Sequence, residues 1–131
     1  MPNQLHGFVT SNAFEVLPPV ARTVAPDTHE YQTSGHRFLT LVVDVTAITA
    51  TPGITVSVLG VDRASGKTWT VLTGAQLVAV TGATPQTLRV GPGLVASANA
   101  VANEVLPSTF RISVAHADAD SITYSVGALV V

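Results

Sequence analysis

The sequence contains no cysteine among its 131 residues, and only 11% of them are charged. Without cysteine there is no disulfide framework, no thiolate metal site and no cysteine nucleophile. The formal net charge is −2, so the chain lacks the basic face with which a nucleic-acid-binding protein displaces counterions from phosphates. Disorder of the whole chain requires low hydrophobicity and high net charge. It is excluded here, because 47% of the residues are hydrophobic.

Long apolar runs are also missing. No stretch reaches the roughly 18 uncharged apolar residues that a membrane span needs, so we expect no membrane partner. The first residues, Met1 to His6, have neither the basic nor the apolar region of a secretory signal. We therefore expect a product that is made and folded in a cytoplasm without export.

The order of apolar and polar residues along the chain is typical of β-strands. Residues 39–47 place apolar side chains at odd positions and mostly polar ones at even positions, and similar alternation recurs at 54–58, 68–71, 109–116 and 122–130. A period of two puts alternate side chains on opposite faces of a sheet. This pattern predicts an all-β protein of six to eight strands, an antiparallel β-sandwich of the jelly-roll-like or immunoglobulin-like kind with an extended N-terminal arm. The positions predicted to be buried are Leu41, Val43, Val45, Ile54, Val56, Val58, Trp69, Val71, Phe110, Ile112, Val114, Tyr124 and Val126.

Two organisational units are expected: residues 1–36 and the sandwich domain, residues 37–131. The first unit has four prolines and no sustained periodicity. It is either an arm that packs on a neighbouring subunit or the irregular first strands of the domain. If it is an arm, its contacts are expected to involve Phe8, Phe14, Val16 and Leu17. Helix is plausible only at 74–80 and at the alanine-rich segment 94–105.

Candidate chemical sites are few. The segment from Gly60 to Thr68 resembles a phosphate-binding P-loop, but it has five residues between its glycines where the motif has four, and a strand follows it. We interpret it as a hairpin loop. Asp118 and Asp120 lack the further oxygen ligands of a calcium loop and read as a turn.

The four histidines, His6, His29, His36 and His116, show no metal-ligand spacing. There is no nucleophile elbow around a serine and no distinct pair of catalytic carboxylates. Trp69 and Tyr124 are interpreted as large core side chains rather than a ligand-stacking pair. We expect no enzyme activity, no metal and no cofactor.

Several segments together resemble a known class of protein. They are LVVDVTAIT (41–49), TPG (51–53), VLGVD (58–62), SGKTW (65–69), TLRVGPGL (87–94), NEVLPSTFR (103–111) and VAHADADSITYSVGA (114–128). These segments are similar to small virion structural proteins of tailed bacteriophages that infect actinobacteria and other GC-rich hosts. The resemblance covers residues 37–131 and brings no catalytic or ligand residues with it.

The resemblance implies a capsid decoration (cement) protein on the outer surface of the virion head. Its implied partners are the major capsid protein and further copies of itself, as a trimer. The low charge and the single lysine, Lys67, agree with an oligomer, because weakly charged surfaces are common at subunit interfaces and lysine normally protects open sheet edges. The alternatives are a phage tail or neck structural protein and a host-surface or carbohydrate-binding module.

Overall fold

The structure is a computed structural model that describes residues 4–9, 13–27 and 29–131; for residues 4–9 it describes the backbone. It is all-β, which confirms the predicted fold class. The described part contains ten strands, more than the six to eight predicted. They are β1 (Gln4–Val9), β2 (Ala13–Arg22), β3 (His29–Thr33), β4 (Leu39–Ile48), β5 (Ile54–Val61), β6 (Thr68–Thr73), β7 (Gln86–Val90), β8 (Val101–Ala102), β9 (Thr109–His116) and β10 (Ile122–Val130).

The ten strands form two five-stranded sheets. The first sheet has the order β1-β3-β9-β5-β6 and the second the order β2-β10-β4-β7-β8. Pairing is antiparallel except between β1 and β3 and between β7 and β8. The inward faces of both sheets contribute to one hydrophobic core, so the architecture is the predicted sandwich.

Alternation in the sequence defines this core. In β4 the side chains of Leu39, Leu41, Val43 and Val45 are buried, while the residues between them are half-buried. β10 repeats the pattern from Ile122 to Val130. Of the thirteen positions predicted to be buried, eleven are buried. The other two lie on β6: Trp69 is exposed and Val71 is half-buried.

An irregularity in the pairing of β5 with β6 explains the outcome at Val71, whereas the exposure of Trp69 follows from its place at the end of an edge strand. Val58 lies opposite Leu72, but the next residue of β5, Leu59, lies opposite Thr70, so Val71 is the extra residue of a β-bulge. The bulge shifts the core-facing position from Val71 to Leu72. Trp69 lies opposite Gly60, on the same face of the sheet as Val58, but near the end of the edge strand, where it stays exposed.

The first 36 residues contribute strands to both sheets. β2 pairs with β10 along most of its length, with Leu17 opposite Val126, and β3 pairs with β9. Phe14 on β2 contacts Tyr31 on β3, with ring centroids 5.0 Å apart, across the two sheets. Residues 13–22 therefore lie within the sandwich rather than extending away from it as an arm.

Neither segment in which helix was considered plausible forms one. From Gly74 the chain crosses between the sheets: Leu77 exchanges backbone hydrogen bonds with Ile54 of the first sheet, and Thr81 donates its amide to Val45 of the second. Residues 94–105 form turns and the short strand β8. No helix long and apolar enough to cross a membrane occurs in the ranges that the structure describes.

Candidate binding surfaces

The P-loop-like segment is a hairpin loop between β5 and β6, as predicted. The amide of Asp62 donates to the carbonyl of Lys67 at 2.8 Å, and the amide of Gly66 donates to the carbonyl of Asp62 at 2.7 Å. Gly66 has a φ of +76°, which favours glycine at this turn. The Asp62 carboxylate accepts bonds from the Ser65 hydroxyl and the Ala64 amide, and these bonds lower its pKa. The loop therefore uses its own polar groups internally.

Asp118 and Asp120 form a turn, again as predicted. The amide of Asp120 donates to the Asp118 carboxylate at 3.0 Å. The Asp120 carboxylate accepts the Thr51 amide at 3.1 Å, which joins this turn to the turn after β4. Among residues 13–27 and 29–131, no group of three His, Asp or Glu is placed to hold a metal ion.

His116 belongs to a cluster with Tyr124 and Arg22. Its Nε2 lies 2.9 Å from the Tyr124 hydroxyl, and the Arg22 guanidinium lies over the Tyr124 ring at 4.7 Å from its centroid. Arg22 also donates to the carbonyls of Pro18, Val20 and Tyr124. The cluster fastens the end of β2 to β10.

Burial affects the titration of both rings in this cluster. It lowers the pKa of His116, and the positive charge of Arg22 lowers it further, whereas Asp118 acts in the opposite direction. Burial raises the pKa of Tyr124 to about 12, although Arg22 opposes the rise. Both side chains are therefore neutral near pH 7. This arrangement stabilises the fold by joining β2 to β10.

Trp69 is the most exposed aromatic side chain of those described, at 47%. A Cβ atom built on Gly60 would lie 2.2, 2.3 and 2.6 Å from Cζ2, Cε2 and Cη2 of the Trp69 ring. Such similar distances to three adjacent ring atoms arise only when the point lies above the face of the ring. Trp69 therefore lies face-on over the backbone of Gly60, and its other face is directed away from that backbone.

Trp69 borders a surface groove of about 650 Å³, the Trp69 groove, at the end of the sandwich where β5 ends and β6 begins. The groove is also lined by His36, whose Nδ1 atom is closed off from solvent and has no hydrogen-bond partner. Its lining residues are Thr33, Gly35, His36, Val61, Trp69, Glu104, Val105, Leu106, Pro107, Ser108 and Thr109. The sequence signal that was missed is Gly60, since a glycine inside a strand often marks the close approach of another group.

The opposite end of the sandwich carries a group of exposed aliphatic side chains, which we call the aliphatic end. Ile48 and Arg22 lie on either side of Ile122, which places the ends of β4 and β2 at the same end of the sheet, with β10 between them. The crossing from Leu77 to Thr81 lies at the same end, because it bonds the first residue of β5. The aliphatic end consists of Val20 (48% exposed), Val24 (70%), Ile48 (37%), Val78 (56%) and Val80 (50%).

The predicted interface residues lie elsewhere. Leu17 is buried, and Phe14 and Val16 are half-buried against the core of this same chain. The side chain of Phe8 lies outside the described part of the structure, although its backbone lies opposite Gln32 in the pairing of β1 with β3. A second, shallower groove of about 530 Å³ crosses the outer face of the second sheet near Gly127, with Phe14 and Leu17 at its border.

Comparison with known proteins gives no family. No family model matches the chain, and no curated protein matches it. Among solved structures, one similarity is to the N-terminal endo-1,4-beta-D-xylanase 10B of Clostridium thermocellum, in a structure of its CBM22-1 and GH10 modules complexed with xylohexaose. The TM-score is 0.36 at 14% identity, and the match covers 73% of this chain but 16% of that one. A likeness at this level does not bear on function.

Proposed function

We propose that the chain is a structural protein of a bacteriophage virion, a decoration protein that binds the outside of the capsid as a trimer and stabilises it. The proposal rests on the resemblance of residues 37–131 to virion proteins. The observation that carries it in the structure is the aliphatic end, since five exposed valine and isoleucine side chains lie at this one end of the sandwich. Grouped apolar side chains on a protein surface commonly mark a contact with another protein.

The aliphatic end is sufficient for a weak contact with a capsid subunit. Fully burying a valine or isoleucine side chain contributes about 1.5–3 kcal/mol, and the five side chains are on average half-exposed. Their burial against a capsid would contribute about 4–8 kcal/mol per subunit before the costs of association. Three such contacts in a trimer act together, so that dissociation becomes slow although each contact alone is weak.

A binding assay with heads that lack this protein tests the contact. Val80 and Val105 form a matched pair, because they are 50% and 53% exposed and lie at opposite ends of the sandwich. We expect Val80→Asp to lower occupancy of expanded heads at least tenfold, because a carboxylate would be buried in the contact. Val105→Asp is expected to bind like the unchanged chain. Equal binding by both variants would show that the aliphatic end is not the docking surface.

Imaging of the intact virion by electron microscopy tests the location. Density on the outer lattice of the head is the expected result, and heads without the protein should assemble but break more readily. Density confined to the tail or neck would replace the decoration role with a tail or neck structural role. Sedimentation of the purified chain is expected to show trimers at micromolar concentration, and monomers alone would count against the trimer.

A further inference from the structure

A large aromatic surface is open to solvent in the Trp69 groove. The ring is covered on one face by the backbone of Gly60, and about half of the side chain is exposed. The volume of the groove, about 650 Å³, lies in the range of small-ligand sites. A ring that is fixed on one face and open on the other is a rigid platform on which a flat ligand can stack.

The polar groups beside this platform include both a donor and an acceptor. A proton on Nδ1 of His36 would be buried without an acceptor, so the neutral ring carries its proton on Nε2. Glu104 contributes an exposed carboxylate and Ser108 an exposed hydroxyl. The lining contains no lysine or arginine. An anionic ligand would therefore meet the Glu104 carboxylate without a compensating cation.

We propose that the Trp69 groove is a carbohydrate site that binds a neutral sugar chain by stacking one pyranose ring with equatorial hydroxyls on Trp69, for which a β-linked glucan serves as the probe. A pyranose with equatorial hydroxyls has two flat C–H faces, which suit an aromatic face. Its hydroxyls lie around the ring and both donate and accept. The same ring therefore fits the open face of Trp69 together with the His36 donor and the Glu104 acceptor.

The competing occupant is a cationic side chain of a protein partner. An aromatic face beside a carboxylate also attracts ammonium or guanidinium groups. A cation, however, cannot accept a hydrogen bond from His36. Carboxylates attract it, and the groove lining contains one, that of Glu104. The donor–acceptor pair favours the sugar.

Trp69 is the single tryptophan of the chain, so its fluorescence reports directly on the groove. We expect cellohexaose to change the emission of the full-length protein saturably in the millimolar range, with no dependence on salt between 0.05 and 0.5 M NaCl. Affinity electrophoresis in gels that contain hydroxyethylcellulose extends the test to variants without tryptophan. There, Trp69→Ala and Glu104→Ala are expected to weaken retardation at least tenfold and threefold, respectively.

The matched control is Val80→Asp, at the other end of the sandwich, which should bind the glucan like the unchanged chain. Thermal unfolding of each variant establishes that it is folded, and Trp69→Phe should restore part of the binding that Trp69→Ala removes. An unchanged emission with cellohexaose overturns the proposal. If argininamide instead gives a saturable, salt-sensitive change, the groove binds a cationic partner. Because the aliphatic end and the Trp69 groove lie at opposite ends, head binding and glucan binding can fail independently.

Discussion

The contact between Gly60 and Trp69 predicts that alanine at position 60 destabilises the protein, although alanine is the better strand residue. Its Cβ would lie 2.2–2.6 Å from three atoms of the Trp69 ring, whereas carbon atoms in contact are about 3.5–4.0 Å apart. The ring would therefore have to move by more than about 1 Å. Overpacking of this kind costs about 1–3 kcal/mol.

Gly127 provides the matched control for this substitution. It also lies within a strand, but a Cβ built on it has no atom within 4 Å. Gly127→Ala should therefore be neutral or stabilising by up to about 1 kcal/mol, because it reduces the conformational entropy of the unfolded chain. Urea unfolding followed by circular dichroism measures both variants. We expect the midpoint of Gly60→Ala to fall by about 1 M relative to that of Gly127→Ala.

A double-mutant cycle separates the contact between Gly60 and Trp69 from other effects of the substitution. If the cost of alanine at position 60 arises from the ring, it should largely disappear in the background of Trp69→Ala. The emission of Trp69 should also shift in Gly60→Ala, since the ring leaves its backbone support. Equal midpoints for Gly60→Ala and Gly127→Ala, with unchanged emission, would refute the stacking of Trp69 on Gly60 and weaken the case for the groove.

Three further predictions follow from the core and from the Arg22 cluster. The pKa of His116 is lowered in the folded state, so the unfolded chain binds the extra proton first as pH falls below about 6.5. The stability that neutral His116 contributes is therefore lost towards acid. Between pH 7.5 and 5, the urea midpoint should fall less in His116→Gln than in the unchanged chain. An equal fall of the urea midpoint in both proteins over this pH range would contradict this prediction. Leu41 is fully buried and Leu129 is 45% exposed. By the same measurement, Leu41→Ala should lower the free energy of unfolding by about 2–5 kcal/mol and Leu129→Ala by under about 1 kcal/mol. Similar losses in the two variants would place Leu41 outside the core. Deletion of residues 1–20 removes most of β2 and with it buried Leu17, so the truncated chain should unfold at a clearly lower urea concentration, whereas an unchanged midpoint would mean that β2 is not part of the sandwich.

The strands of the sandwich were predictable where local pattern and tertiary position agree. In β4 and β10 one face is buried along most of the strand, so the alternation of residues such as Val43 and Val126 reports burial directly. β6 is an edge strand with a bulge: the bulge brings Leu72 rather than Val71 into the core, and Trp69, although on the core side of the sheet, is exposed near the end of the strand. The bulge depends on pairing with β5, which periodicity within β6 does not encode.

The pairing of the first 36 residues and the make-up of the Trp69 groove were not predictable for a related reason. β2 contains Pro18 and Pro19 and shows no clean alternation, and its partner β10 lies at a great distance in sequence. The Trp69 groove brings together side chains from four separate segments, at positions 33–36, 61, 69 and 104–109. No spacing motif connects such residues, whereas the hairpin at Asp62–Gly66 and the turn at Asp118–Asp120 are local and were correctly predicted.

The position of β10 between β2 and β4 also constrains the order in which the chain can fold. Arg22 and Tyr124, which meet at the junction of β2 and β10, are 102 residues apart. At a synthesis rate of about 5–20 residues per second, β2 leaves the ribosome roughly 5–20 s before β10 is available to pair with it. During that interval the apolar side chains of β2 lack their partner strand, and pairing over such separations is slow even for the complete chain. The second sheet can therefore be completed only well after β2 has been synthesised. We expect chaperones to be needed most during the interval between the synthesis of β2 and that of β10.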